Sequence, residues 1–113
     1  MLIRSMREVE AAGKLIVINH GAASACRVLL KADDVGFSVS EARMQPNTVA
    51  NLWYKNHWEA NYVRSGTATL DDIVGGRQWT IKTGDLYLVG PADKHRLTST
   101  SDEIFRVVSV FNP

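Results

Sequence analysis

Short apolar or alternating stretches, separated by turn residues, run along most of the chain. Each stretch predicts a β-strand, because β-branched and aromatic residues dominate it and Gly, Pro, Asn, Asp or Ser follow it. The nine predicted strands cover residues 15–19, 27–31, 37–44, 51–55, 59–64, 67–74, 78–81, 86–89 and 104–111. Many short, evenly spaced strands predict a β-sandwich or β-barrel, and closure into a barrel would remove exposed sheet edges.

One short helix is predicted near the amino terminus. Ser5 and Glu8 have the spacing of a capping box, and Gly13 follows an apolar-periodic segment at residues 6–12. The pattern therefore predicts an all-β fold preceded by a single short helix.

Length and charge narrow the classes of function. A chain of 113 residues with 45% apolar content suffices for one core, so residues 1–113 are expected to form a single domain. The 13 basic and 12 acidic residues form no run of like charge, which argues against a nucleic-acid or membrane partner and favours a small-molecule substrate. Cys26 has no partner for an intramolecular disulfide, and no apolar stretch resembles a membrane span or signal peptide, so a cytoplasmic protein is expected.

Residues 56–62 carry the first chemical signal. In a strand, His57, Glu59 and Asn61 would point to one side and the intervening apolar residues to the other. A solvated strand face is the favoured interpretation of such a polar row. Metal binding is the alternative, because imidazole and carboxylate groups both bind divalent metals.

A second segment, from Gly84 to His95, shifts the interpretation from a solvated strand face toward metal binding. Gly84 and Asp85 open a turn, an apolar strand follows, and a second turn leads to His95. Together with Glu59 and Gly66, this order resembles the two motifs of the cupin superfamily over residues 46–97. The resemblance implies a cupin-type antiparallel β-barrel, a jelly roll, whose two motifs direct polar side chains at one central metal.

Further blocks narrow the resemblance to one family. They are similar to ectoine synthases in the same order and cover nearly the whole chain, at residues 3–4, 27–31, 33–38, 54–62, 86–89, 95–97 and 110–113. The family implies an enzyme, a hydro-lyase that closes N-γ-acetyl-L-2,4-diaminobutyrate into the cyclic amidine ectoine with loss of water. Its cofactor would be one divalent metal ion, iron(II) in the first place, with zinc or manganese as alternatives.

The resemblance also implies the site residues. The metal ligands would be Glu59, Tyr87 and His95, and the substrate-binding residues would be Arg27, Tyr54, His57 and Phe111. His57 is the candidate for proton transfer, because the intrinsic pKa of imidazole lies near neutrality. His57 and the three ligands are therefore the predicted catalytic residues.

Several of these residues have ordinary structural alternatives. Without the family, Tyr87 would be a core tyrosine, Arg27 a surface charge beside a buried strand, and Phe111 a packing residue. Cys26 is expected to be a small buried hydrophobic side chain. Three tryptophans in so short a chain, together with the usual pairing of small cupins, predict a homodimer.

Two departures keep other functions open. Residues 51–53 lack the His-x-His pair of many cupins, which argues against a three-histidine oxygenase or isomerase. The family continues past the position of Pro113 with a tail bearing a Glu and a His, which is absent from this sequence. The alternatives are a noncatalytic cupin that binds a small amino-acid derivative and a metal cupin that acts on another small substrate.

Overall fold

The computed structural model describes residues 1–18 and 21–112. The helix α1 is Met6–Ala11, and a short 3-10 helix is Lys31–Asp33. The strands are β1 Leu15–Ile18, β2 Ala23–Leu29, β3 Ser38–Met44, β4 Val49–Leu52, β5 Glu59–Ser65, β6 Thr67–Asp72, β7 Gln78–Lys82, β8 Leu86–Val89, β9 His95–Ser99 and β10 Phe105–Phe111. Within the described ranges, no helix has the length and apolar character needed to cross a membrane.

Helix α1 begins and ends where its sequence predicts. The Ser5 side chain accepts a hydrogen bond from the Glu8 amide at 3.0 Å, which satisfies one free N–H of the first turn. Gly13 has a φ of +76°, so the chain leaves the helix through the left-handed region. Val9 is the residue of α1 that is buried. Cys26 is fully buried, which confirms the prediction that it is a small buried hydrophobic side chain.

The strands form two antiparallel sheets. One sheet has six strands in the order β1-β2-β3-β10-β5-β8, and the other has four in the order β4-β9-β6-β7. The predicted all-β jelly roll with one short helix is confirmed. Within the described part of the chain, no ladder joins the two sheets, so the barrel has the form of two facing sheets rather than one closed sheet.

Most strand predictions are correct to within one or two residues, but three need correction. Strand β2 begins at Ala23 rather than at 27, and β4 is Val49–Leu52 rather than 51–55. Strand β9, His95–Ser99, was not predicted, because two polar residues occupy its inward positions and its pattern resembles a loop. The predicted end of the first strand at Asn19 lies outside the described residues.

The inward faces of three central strands change character along their length. At one end, Met44, Val63 and Phe105 belong to a continuous apolar core between the sheets. Toward the other end the inward positions become polar, and those on β3, β5 and β10 are Ser38, Ser40, Glu59, Asn61 and Ser109, all buried. The interior therefore has an apolar half that stabilises the fold and a polar half that is available for chemistry.

Candidate metal and substrate site

The polar row on β5 faces the interior. Glu59 is 7% exposed and Asn61 is 2% exposed, whereas Trp58 and Tyr62 are 55% and 49% exposed. The solvated face, which the strand pattern alone favoured before the second segment was considered, is therefore not what the structure shows. Alternation along a strand determines which residues share a face, but the packing of the second sheet decides which face is enclosed.

An interior cavity of about 270 Å³ lies at the polar end of the sheets. Six of the seven predicted site residues line it: Arg27, Tyr54, His57, Glu59, Tyr87 and Phe111. Arg27 on β2 lines the cavity and is also exposed to solvent, so it stands at an open side of the cavity. The structure thus brings together residues that are up to 84 positions apart in the sequence, from 27 to 111.

The seventh residue, His95, joins this group through aromatic contacts. The Tyr54 ring meets the His95 ring edge-on at 5.5 Å and stacks on the His57 ring at 5.2 Å. His57 in turn lies 5.0 Å from the ring of Phe111. His95 also lines an adjoining cavity of about 530 Å³, and Tyr87 lines both cavities.

The hydrogen bonding of His95 leaves one ring nitrogen free. His95 Nδ1 lies 2.9 Å from the carbonyl oxygen of Asp93, and since that oxygen only accepts, Nδ1 must carry the proton. Nε2 then has a lone pair, and it is buried without a hydrogen-bond partner in the described structure. An imidazole held this way through its other nitrogen has the arrangement of a metal ligand.

Burial dominates the electrostatics of Glu59 and of the two tyrosines. It raises the pKa of the Glu59 carboxyl, although Tyr54, Asn61 and the two nearby histidines act in the opposite direction. It also raises the pKa of the Tyr87 hydroxyl, with the charge of Glu59 as the second cause. The pKa of Tyr54 is raised by burial first and then by Glu59. These shifts show that Glu59 interacts electrostatically with both tyrosines.

The donor set fits a divalent metal. No cluster of three His, Cys, Asp or Glu side chains occurs among the described residues. The candidate set instead combines one carboxylate, one imidazole and the phenol of Tyr87. Such mixed oxygen and nitrogen ligands suit first-row metals, and the unpaired Nε2 of His95 supplies the structural reason to place a cation here.

Sequence reasoning gave no role to three buried polar residues of the cavity wall, although Ser40 stands where the family tends to place a polar pocket residue. Ser40, Asn61 and Ser109 line the cavity and belong to β3, β5 and β10. Ser109 was detectable as a lone polar residue at an inward position of an otherwise apolar strand, 107–111. Asn61 was placed on the correct face of β5 but received no role.

The two facing sheets and the interior site between the Glu59 and His95 segments define a cupin. A Cupin 2 conserved barrel domain protein from Salinispora arenicola superposes with a TM-score of 0.78, covering 100% of this chain and 89% of that one. Its sequence identity is only 20%, so this likeness bears on the fold alone.

The sequence comparisons narrow the class to one family. The family model for ectoine synthase matches residues 1–113. An L-ectoine synthase from Saccharopolyspora erythraea is 35% identical over 113 residues, which are 100% of this chain and 81% of the relative. The crystal structure of ectoine synthase from P. lautus has 31% identity and a TM-score of 0.87, covering 100% of this chain and 78% of that one. The chain belongs to the ectoine synthase family.

Proposed function

We propose that this chain is a metal-dependent cyclase that converts N-γ-acetyl-L-2,4-diaminobutyrate to ectoine with loss of water. Membership of the ectoine synthase family supports the reaction. The observation that carries the metal site is the buried, unpartnered Nε2 of His95, whose ring contacts Tyr54 beside the cavity that Glu59 and Tyr87 line.

Glu59, Tyr87 and His95 would hold the metal, with iron(II) as the proposed ion and zinc or manganese as alternatives. When bound, the metal supplies a Lewis acid that polarises the acetamide carbonyl. The hydrogen bond from His95 Nδ1 to Asp93 fixes the imidazole so that Nε2 stays available.

The remaining cavity residues suit a small zwitterionic substrate. Arg27 stands at the open side of the cavity, where its guanidinium would bind the substrate carboxylate through two hydrogen bonds. Tyr54 and Phe111 contribute apolar ring surface that limits the water around the reacting carbon. Exclusion of water favours ring closure, because water is a product of the reaction.

Proton transfer falls to His57, whose ring lies between those of Tyr54 and Phe111. In the reaction the neutral α-amine forms a new C–N bond to the acetamide carbon, and the acetamide oxygen departs as water. The amine loses two protons and the departing oxygen gains two, so one base that receives and returns a proton suffices for each transfer. An imidazole can both accept and return a proton, which suits His57 to this work.

An anaerobic turnover assay with ferrous iron tests the proposal. We expect ectoine from the parent chain and a loss of about 100-fold or more in His95→Ala, because a metal ligand is removed. The matched control is Arg96→Ala on the same strand, where the exposed Arg96 side chain binds only Asn51. This control should keep parental turnover.

Three results would overturn parts of the proposal. Ectoine formation that survives complete metal removal would show that the metal has no role in the reaction. Absence of product from a folded, metal-loaded parent that still binds N-γ-acetyl-L-2,4-diaminobutyrate would identify a noncatalytic binding protein. Turnover of a different small substrate would identify a cupin with other chemistry.

A further inference from the structure

A short hydrogen bond joins two buried residues next to the proposed metal ligands. Ser109 on β10 and Asn61 on β5 are direct partners across the sheet and are 3% and 2% exposed. The Ser109 hydroxyl donates to Asn61 Oδ1 at 2.6 Å. A serine hydroxyl can donate or accept, but a separation of 2.6 Å suits an O–H···O bond and is too short for N–H···O, so Oδ1 is the end of the Asn61 amide that faces Ser109.

The amide nitrogen of Asn61 is consequently turned toward Glu59. Nδ2 lies 3.5 Å from Glu59 Oε2 and 3.5 Å from the Glu59 backbone oxygen. The reverse amide orientation would set Oδ1 against the carboxylate oxygen, which places two acceptors together. Ser109 and Glu59 therefore favour the same orientation of Asn61.

Asn61 is also adjacent to a second proposed ligand. Its direct partner on the other neighbouring strand, β8, is Tyr87. Asn61 thus occupies the inner face of the sheet between Ser109 and Tyr87, and it contacts the carboxylate of Glu59. Tyr54 is a second side chain that acts on the Glu59 carboxylate.

We propose that Asn61, oriented by Ser109, is a positioning residue that holds the Glu59 carboxylate in its metal-binding orientation. The inference rests on the metal site of the proposed function. It assigns roles to two residues that are not metal ligands: Ser109 orients Asn61, and Asn61 in turn orients Glu59. Outer partners of this kind typically change metal affinity by about 10- to 100-fold when they are removed.

Cobalt(II) affinity, measured by competition with a chelator, tests this without relying on turnover. We expect Asn61→Leu, which keeps the approximate volume but removes the amide, to raise the cobalt dissociation constant about 10-fold or more. Ser109→Ala should raise it less. The double variant should match Asn61→Leu alone, because Ser109 acts only through Asn61.

Two further variants separate positioning from general damage to the fold. Ser109→Thr keeps the hydroxyl and should restore near-parental affinity. Ser99→Ala removes another buried hydroxyl, which donates to the Gln45 carbonyl at 2.6 Å on the other sheet. Ser99 lines neither interior cavity, so this control should lower the thermal midpoint while leaving cobalt affinity unchanged.

The outcomes also distinguish the inference from the proposed function. If Glu59→Gln weakens cobalt binding but Ser109→Ala and a folded Asn61→Leu do not, the positioning role is wrong and the metal site stands. If Asn61→Leu fails to fold, Ser109→Ala together with Ser109→Thr decides the question. If Glu59→Gln itself leaves cobalt affinity unchanged, the metal site fails and the positioning role fails with it.

Discussion

The most completely buried charge outside the cavity is Glu41 on β3. It is 0% exposed and contacts Arg43 at 2.8 Å, Arg106 at 3.7 Å and also Arg64. Burial alone would raise the pKa of Glu41, but hydrogen bonds from Arg43 and Arg64 outweigh it and lower the pKa. The carboxylate therefore stays charged and neutralises part of an arginine cluster.

Removal of that charge should destabilise the protein strongly. We expect Glu41→Gln to lower the free energy of unfolding by about 3 kcal/mol, because the arginines lose their buried counter-ion. Urea denaturation measures the change. Glu10→Gln is the matched control, since Glu10 is partly exposed and, among the described residues, pairs with Arg43 alone; its effect should be about 1 kcal/mol or less. Equal effects would contradict the importance of burial.

A second ion pair predicts a specific pH dependence. Arg4 donates to both carboxylate oxygens of Asp33 at 2.7 and 2.8 Å, and the Leu30 amide donates as well. The Arg4 hydrogen bond is the main cause that lowers the pKa of Asp33 from 3.8 to about 2.

Because the folded-state pKa of Asp33 is the lower one, its contribution to stability is complete above about pH 4 and is lost as the pH falls toward 2. We expect the stability difference between the parent and Asp33→Asn to shrink over this window in urea titrations at successive pH values. A constant difference from pH 5 to pH 2 would show that Arg4 does not act through the ionised carboxylate.

At the scale of elements, the turn between β5 and β6 depends on Gly66. Its φ is +79°, and an added Cβ would lie 2.9 Å from the Phe105 Cα and 3.0 Å from the Ile104 oxygen. Gly84, in the turn between β7 and β8, has a φ of +94° but open space around the same position. Comparing substitutions at Gly66 and Gly84 therefore separates the cost of the left-handed backbone from the cost of steric overlap.

Alanine substitutions measure this difference. We expect Gly84→Ala to cost about 1 kcal/mol, from the left-handed backbone alone. Gly66→Ala should cost clearly more than 2 kcal/mol, because the backbone of β10 must also move. Thermal or urea unfolding of the two variants gives both values. Similar losses would mean that β10 accommodates the methyl group without resistance.

For the whole molecule, the outer face of the six-stranded sheet offers a surface for pairing two copies. It presents neighbouring apolar side chains on β5, β8 and β10 and just before β5, each at least 40% exposed: Trp58, Tyr62, Leu86, Leu88 and Val110. Register places Tyr62 opposite Leu86, so these side chains form a continuous patch. A patch of this kind typically marks an interaction site.

The expected homodimer can be tested directly on this patch. We expect a dimer at micromolar concentration by size-exclusion chromatography with light scattering, and a monomer for the combined Tyr62→Glu and Leu86→Glu variant. Val74→Glu is the control, because Val74 is 76% exposed and lies on the loop after β6 in the other sheet. A parent that elutes as a monomer would exclude the dimer.

The local pattern of the sequence determined most of the elements. Ser5 and Gly13 delimit the helix because capping is a local interaction, and the local pattern located nine of the ten strands, seven of them to within two residues at each end. Strands β2 and β4 were misplaced by up to four residues. Strand β9 was missed, because its inward His95 and Ser99 belong to the site and to a loop contact. Family resemblance, rather than periodicity, singled out the seven site residues.

Only the tertiary structure decided which side of β5 is enclosed and which residues surround Glu59. Alternation groups Glu59 with Asn61. The packing of the facing sheet buries these two residues and leaves Trp58 and Tyr62 exposed. The contact of Ser109 with Asn61 joins residues 48 positions apart through strand pairing. Sequence-local forces fix helix ends and strand faces, whereas contacts between distant strands depend on the register and packing of the folded sheets.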